Sequence, residues 1–218
     1  MYVKWIVCEI KKDYEKDFSL AQEQWICTKN ATGFIGQVGG WDSENKKTAC
    51  IISFWENEKS LKLFMKNIHD KIFFMNKQSE YYSSISVDHY NSLLKLKSKS
   101  FSLIDALKDA KFLSIEAVKV KQEKNEHFKR LQKNIWFPEM KKVRGNLGAY
   151  FSEEVDDSSR HLISTFWDSI GNLNNYLRQK QPELKVNSHI NKYMEQITMR
   201  QIQLVDSWKI IKKATTNG

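Results

Sequence analysis

The chain of 218 residues is 41% apolar and 12% aromatic, the composition of a folded globular protein, which excludes a disordered or low-complexity polypeptide. Its formal charge of +9 comes from 35 Lys+Arg interleaved with 26 Asp+Glu; only Lys95-Leu96-Lys97-Ser98-Lys99 forms a basic cluster, so the balance does not point to a nucleic-acid partner. No stretch approaches the ~20 consecutive apolar residues that cross a bilayer, the N-terminus has no signal-peptide pattern, and Cys8, Cys27 and Cys50 sit among apolar residues without metal spacing, as reduced structural thiols do. A cytoplasmic protein with no membrane partner is expected.

Alternation from Tyr2 to Ile10 predicts a strand, with Ile6, Cys8 and Ile10 on one face and Val3, Trp5 and Val7 on the other. Both faces are mostly apolar, so the strand is expected to be covered on both sides. Tyr14, Phe18, Ala21 and Trp25 form the stripe of an amphipathic helix, with Asp13 placed as its N-cap. Residues 33–41 and 48–55 are β-rich runs joined by a polar stretch, a hairpin with a long loop. Leu61, Phe64, Met65 and Ile68 at i, i+3, i+4 and i+7 predict a second helix capped by Asn57, and residues 81–90 supply a last strand. The order β-α-β-β-α-β is the split βαβ, or ferredoxin-like, arrangement of an α+β protein.

Residues 93–110 read as a linker in which Phe101, Ile104 and Leu107 mark a short helix. The second half then repeats the first. Gly145-Asn146-Leu147-Gly148 and Thr165-Phe166-Trp167 follow Gly33-Phe34-Ile35-Gly36 and Ser53-Phe54-Trp55 by 112 positions, and Phe128 and Gln132 follow Phe18 and Gln22 by 110. Leu173, Tyr176 and Leu177 repeat the stripe of Leu61, Phe64 and Met65. Residues 182–194 read as an added turn or short helix before a strand at 197–205, and the tail beyond Ile210 is polar. The predicted organisation is a first repeat at 1–92, a linker at 93–110, a second repeat at 111–210 and a tail at 211–218.

A four-stranded antiparallel sheet with both helices on one side leaves its other face to be buried, and a second copy is the obvious cover. The expected architecture is two tandem ferredoxin-like repeats whose sheets pack as a pseudo-dimeric α/β barrel, either monomeric or paired again as a homodimer. The plan resembles the dimeric α/β-barrel proteins of the antibiotic-biosynthesis-monooxygenase type. The residues that carry this are Gly33-Phe34-Ile35-Gly36 and Ser53-Phe54-Trp55-Glu56, followed by Glu58, Ser60, Leu61, Phe64, Met65 and His69. The first half is also similar to the YdbC-like branch of bacterial proteins, through Trp5-Ile6-Val7, Gln22-Glu23-Gln24-Trp25 and Gly36-Gln37-Val38-Gly39-Gly40-Trp41.

The resemblance implies cofactor-independent or haem-dependent monooxygenase-like chemistry. In its haem-degrading members a histidine after the second-helix aromatics ligates iron, with a tryptophan and an asparagine nearby. His69 is the positional counterpart of that histidine, although it comes earlier; that group's tryptophan is Phe64 here, and the first strand has no asparagine. His69 is the candidate catalytic residue, because imidazole can move a proton or ligate a metal near neutral pH. Its counterpart in the second half is Gln181, which confines a His-dependent site to the first half. Trp5 and Trp41, not shared by the second copy, join Phe64 as candidate ligand contacts in a first-half cavity for a small aromatic or haem-like molecule. No cofactor is required by this reading, and haem is the one the resemblance suggests.

Gly36–Gly40 lies within a strand and lacks the Lys-Ser/Thr of a phosphate loop. His127, His161 and His189 read as isolated exposed or half-buried residues, and no His, Cys or carboxylate set has metal-ligand spacing. Two other function classes stand beside the monooxygenase-like one. A non-enzymatic ligand-binding or assembly module would need no catalytic constellation. An RNA-recognition motif shares the element order, but Thr48–Trp55 is built for burial rather than for stacking bases.

Overall fold

The computed structural model describes residues 1–96 and 102–212. Lys97 and Lys99 of the basic cluster, Phe101 of the linker and the tail beyond residue 212 lie outside the described residues. In chain order the elements are β1 (Tyr2–Ile10), α1 (Glu15–Glu23), β2 (Phe34–Asp42), β3 (Thr48–Trp55), α2 (Glu58–Phe64), α3 (Asp70–Met75), β4 (Tyr82–Lys95) and α4 (Leu103–Asp109). They continue with β5 (Phe112–Val120), α5 (Asn125–Leu131), α6 (Phe137–Met140), β6 (Asn146–Glu154), β7 (Arg160–Trp167), α7 (Ile170–Asn175), α8 (Gln181–Ser188), β8 (Met194–Leu204) and β9 (Ile210–Ile211). The protein is α+β and consists of two tandem ferredoxin-like repeats. None of the described helices is long and apolar enough to cross a membrane.

The chain divides into two compact units, Met1–His89 with Leu204–Gly218, and Tyr90–Gln203. These limits differ from the sequence-based ones at both ends of the second repeat. β4 runs on to Lys95, so the start of the expected linker is strand, and its Tyr90–Lys95 portion pairs with β6. α4 begins at a capping box between Ser102 and Asp105 and faces β6, where Gly148 meets Ala106. After β8 the chain contributes to the first unit: Val205 donates to the Gly39 carbonyl, Trp208 is fully buried, and β9 pairs with β2.

In the first unit the strand order is β4-β1-β3-β2. The antiparallel register fixes which residues share a face: Tyr2 is opposite Trp55, Lys4 opposite Ser53, Ile6 opposite Ile51 and Cys8 opposite Ala49, and these rows face the helices. One helix-side cluster gathers Tyr2, Phe34, Trp55, Leu61, Phe64 and Ile72, and another gathers Cys8, Ile10, Phe18, Ala49, Ile51 and Trp208. Asn57 caps α2 as expected, its Oδ1 accepting from the Ser60 amide at 2.9 Å. Asp13 does not cap α1. It has φ of 72°, and Tyr14 occupies the cap position without a side-chain bond. The second helix continues beyond its Leu61–Ile68 stripe, through a π-helical turn at Met65–His69 into α3.

The second unit has the order β8-β5-β7-β6, all antiparallel. The short helix or turn expected from Pro182 onward is a helix: α7 passes through a π-helical turn at Tyr176–Lys180 into α8, with Pro182 in the first turn after it. Pro138 stands in the same relation to the π turn Gln132–Trp136. A proline lacks the N–H that an α-helix would use at this point, and the wider turn before it removes that demand.

The duplication extends to backbone geometry. Gly33 and Gly145 have φ of 72° and 79°, and each carbonyl accepts from the residue after the aligned tryptophan, Glu56 at 2.8 Å and Asp168 at 3.0 Å. Lys77 and His189, also 112 apart, are left-handed at φ of 48° and 49°. Trp55 Nε1 donates to Ser53 Oγ at 3.1 Å, and Trp167 Nε1 donates to Thr165 Oγ1 at 2.8 Å. A buried indole needs an acceptor, and both copies supply it two residues back on the same strand face.

Candidate functional site

The π turn after α2 brings His69 onto the helix side of the first unit. Its ring lies among Trp25, Phe64 and Phe73, with centroids 5.2, 6.0 and 5.7 Å away, and it stacks on Phe73 at 15°. The side chain is 19% exposed, and Nδ1 lies 3.0 Å from Asp70 Oδ1. With Asp70 ionised, Nδ1 is the protonated nitrogen and Nε2 carries the lone pair. Burial lowers the His69 pKa from its usual value. The Asp70 hydrogen bond opposes this, and the charge of Lys4 adds to it.

Lys4 was not among the sequence-based candidates. It lies on the helix-facing side of β1 and is only 8% exposed. Its Nζ approaches the Met65 sulfur at 3.7 Å, and no carboxylate lies within ion-pair distance of it among the described residues. Burial pulls its pKa down to about 8. The signal was present in the alternation, since Lys4 shares the face of Ile6 and Cys8, where a charge is out of place.

Of the predicted ligand contacts, only Phe64 is beside His69; it also packs on Trp55 at 5.0 Å. Trp41 is in the other helix-side cluster, 5.3 Å from Trp208 and 6.1 Å from Phe18. Trp5 is buried on the opposite face of the sheet, in the row of Ile52 and Val38. Strand alternation therefore separates Trp5 from His69, and the three aromatics do not line one cavity with it. Cys27 is exposed, unlike Cys8 and Cys50. His161 is fully buried rather than exposed, its Nε2 donating to Asn125 Oδ1 at 2.7 Å, and burial lowers its pKa to about 4.

The second unit carries different chemistry at the equivalent place. Gln181 Nε2 donates to Glu116 Oε1 at 2.7 Å, and Glu116 is a buried carboxyl whose pKa burial raises, against the opposing effects of Lys185 and Gln181. By the 110-residue offset of β1 and β5, its counterpart in the first unit is Ile6. Among the described residues no group of three His, Cys, Asp or Glu side chains could hold a metal ion.

Residues 2–90 match the family described as Domain of unknown function (DUF4937). The uncharacterized protein YdbC of Bacillus subtilis (strain 168) is 39% identical over 92 residues, which cover 41% of this chain and 77% of YdbC. The chain belongs to the YdbC family. That match covers the first repeat, and the solved structures extend the likeness to the second. A protein of Fusobacterium nucleatum provisionally named a monooxygenase is 17% identical with a TM-score of 0.78, covering 98% of this chain and 94% of its own. A similarly named protein of Lactobacillus acidophilus NCFM is 11% identical with a TM-score of 0.74, covering 97% and 96%. An anthrone oxidase-like protein is 13% identical with a TM-score of 0.71, covering 98% and 94%. At these identities the likeness is one of fold alone.

Proposed function

We propose that this YdbC-family protein binds a small aromatic molecule with an acidic proton beside His69 in its first repeat, and acts on it in the manner of a cofactor-independent monooxygenase. The observation that carries this reading is the meeting of a neutral, half-buried imidazole with a buried, unpaired amine inside an aromatic nook. Burial and the nearby Lys4 keep His69 unprotonated near neutral pH, and the bond from Nδ1 to Asp70 leaves Nε2 free to accept a proton. Removing a proton from the ligand creates an anion, and Lys4 is the cation in this part of the unit that can stabilise it. Phe64, Trp25 and Phe73 hold the imidazole in place and limit water around it.

The same packing argues against haem. Three rings lie against His69 and little of its side chain is exposed, so a porphyrin ligated there would have to displace them. Trp5 and Trp41 take no part in the proposed site. The alternative, a ligand-binding or assembly module without catalysis, draws support from the second unit, where Gln181 replaces the histidine.

Anthrone is the first compound to test, since one structural relative carries its name and its ring-flanked methylene is acidic. Oxygen uptake and the absorbance of the oxidised product should be measured for the wild type, His69→Ala and His69→Gln. Loss of turnover in both variants, with an unchanged melting temperature, is expected. Turnover that survives His69→Ala would remove His69 as the base, and anthrone binding without turnover in the wild type would favour the non-catalytic module.

A further inference from the structure

The second unit contains a cleft of about 420 Å3 that the function proposed above does not use. Glu139, Lys142 and Arg144 line it from the end of α6 and the segment after it; Asn172, Tyr176 and Lys180 line it from α7 and the following π turn. Three cations thus converge on a concave surface with one carboxylate among them. Glu139 bridges two of them, Oε1 to Lys142 and Oε2 to Lys180 at 3.0 Å, and Lys180 also reaches Glu183 at 3.0 Å. Arg144 is exposed and makes no ion pair among the described residues.

The first repeat shows that the fold does not need these charges. The two segments superpose in their hydrogen bonding: Ala31 N donates to Thr28 O at 2.9 Å and Val143 N to Met140 O at 3.0 Å, each two residues before the left-handed glycine. By the same 112-residue offset, the counterparts of the six lining residues are Cys27, Asn30, Thr32, Ser60, Phe64 and Ile68, none of them charged. One backbone is therefore built twice, and only one copy gathers Glu139, Lys142, Arg144 and Lys180 around the opening. Arg144 stands at the cleft wall without an ion pair among the described residues, which leaves its donors available to an anionic ligand.

We infer that this cleft binds a small polar molecule carrying two or more negative charges on phosphate or carboxylate groups. The planar guanidinium of Arg144 supplies a two-pronged donor to either oxyanion. Glu139 and Glu183 offset the charge of Lys142 and Lys180 and hold their ammonium groups as further donors, so the net positive charge at the cleft is that of Arg144. Tyr176, whose hydroxyl burial and Glu116 keep protonated, adds no opposing charge. The volume lies within the ~300–1,000 Å3 typical of small-molecule sites, which is more than a single inorganic ion fills.

Calorimetric titration of the full chain with pyrophosphate, citrate and benzoate tests this site separately from His69. Saturable binding of pyrophosphate, citrate or both, with benzoate much weaker, is expected, and which of the two binds identifies the oxyanion chemistry. Arg144→Gln, an exposed position, should weaken that binding at least about tenfold with no change in melting temperature. Lys62→Gln, on the other unit, should leave it unchanged. Absence of saturable binding of both polyanions at millimolar concentration would overturn the inference. So would wild-type affinity in Arg144→Gln, or an equal loss in Lys62→Gln, which would mark diffuse attraction to a basic protein.

Discussion

Lys4 illustrates how a single side chain can oppose the fold that holds it. Its amine has a pKa of about 8 in the folded chain against 10.5 as a free group, so the unfolded state binds more protons between those values. Above pH 10.5 the amine is neutral in both states and costs nothing; the cost builds as the pH falls from 10.5 to about 8 and is about 3 kcal/mol at pH 7. Lys4→Met keeps the length and the contact with Met65. It should stabilise the protein at pH 7 by up to about 3 kcal/mol, with the gain shrinking as the pH is raised toward 10.5. Urea unfolding at pH 7 and pH 10 reads this directly. Equal stability of variant and wild type at pH 7 would show that the amine is hydrated in the folded chain. A residue kept at such a cost fits the role proposed for it beside His69.

At the level of elements, the two repeats share the features that backbone geometry demands and differ where chemistry is free to vary. The left-handed glycines show this most clearly. A Cβ on Gly33 would fall 2.0 Å from Ser60 Oγ, and one on Gly145 would fall 2.3 Å from Asn172 Nδ2. Those neighbours belong to the helices that follow β3 and β7, so each glycine is where a helix start meets a strand start. Gly33→Ala and Gly145→Ala should each destabilise by about 1–3 kcal/mol. Gly171→Ala, inside α7 with open space around its Cα, should be neutral or stabilise by up to about 1 kcal/mol. Melting temperatures of the three variants make the comparison; a loss at Gly171 matching the other two would mean that φ and crowding are not the cause. The π turns belong to the same level. They join the second helix of each repeat to a further short helix, α3 or α8, and the one in the first repeat brings His69 into contact with Phe64.

At the scale of the molecule, the first unit is completed by a segment distant in sequence. Trp208 is fully buried there, donates from Nε1 to Ser19 Oγ at 3.0 Å, and packs on Phe18 and Trp41 at 5.7 and 5.3 Å. β9 then pairs with β2 through Gly36 and Gln37. Trp208→Ala should cost about 3–5 kcal/mol, far more than its position near the chain's end suggests, as measured by urea unfolding. A loss below ~1 kcal/mol would show that the C-terminal segment is not part of this core.

The amino-acid sequence was sufficient for the element order, the duplication, the α+β class and the Asn57 cap, because these rest on local periodicity and on residues repeated at a fixed offset. It placed His69 and Phe64 on neighbouring turns of one helix for the same reason. Tertiary structure decided what adjacency in space decides. Strand alternation put Trp5 on the face away from His69, and the return of the chain to the first unit put Trp41 against Trp208. The π turn at Tyr176–Lys180 joined the short helix at Pro182 directly to α7. Lys4, Glu116 and the cleft around Arg144 acquired meaning only from burial, from missing partners and from comparison of the two folded copies, none of which a linear pattern contains.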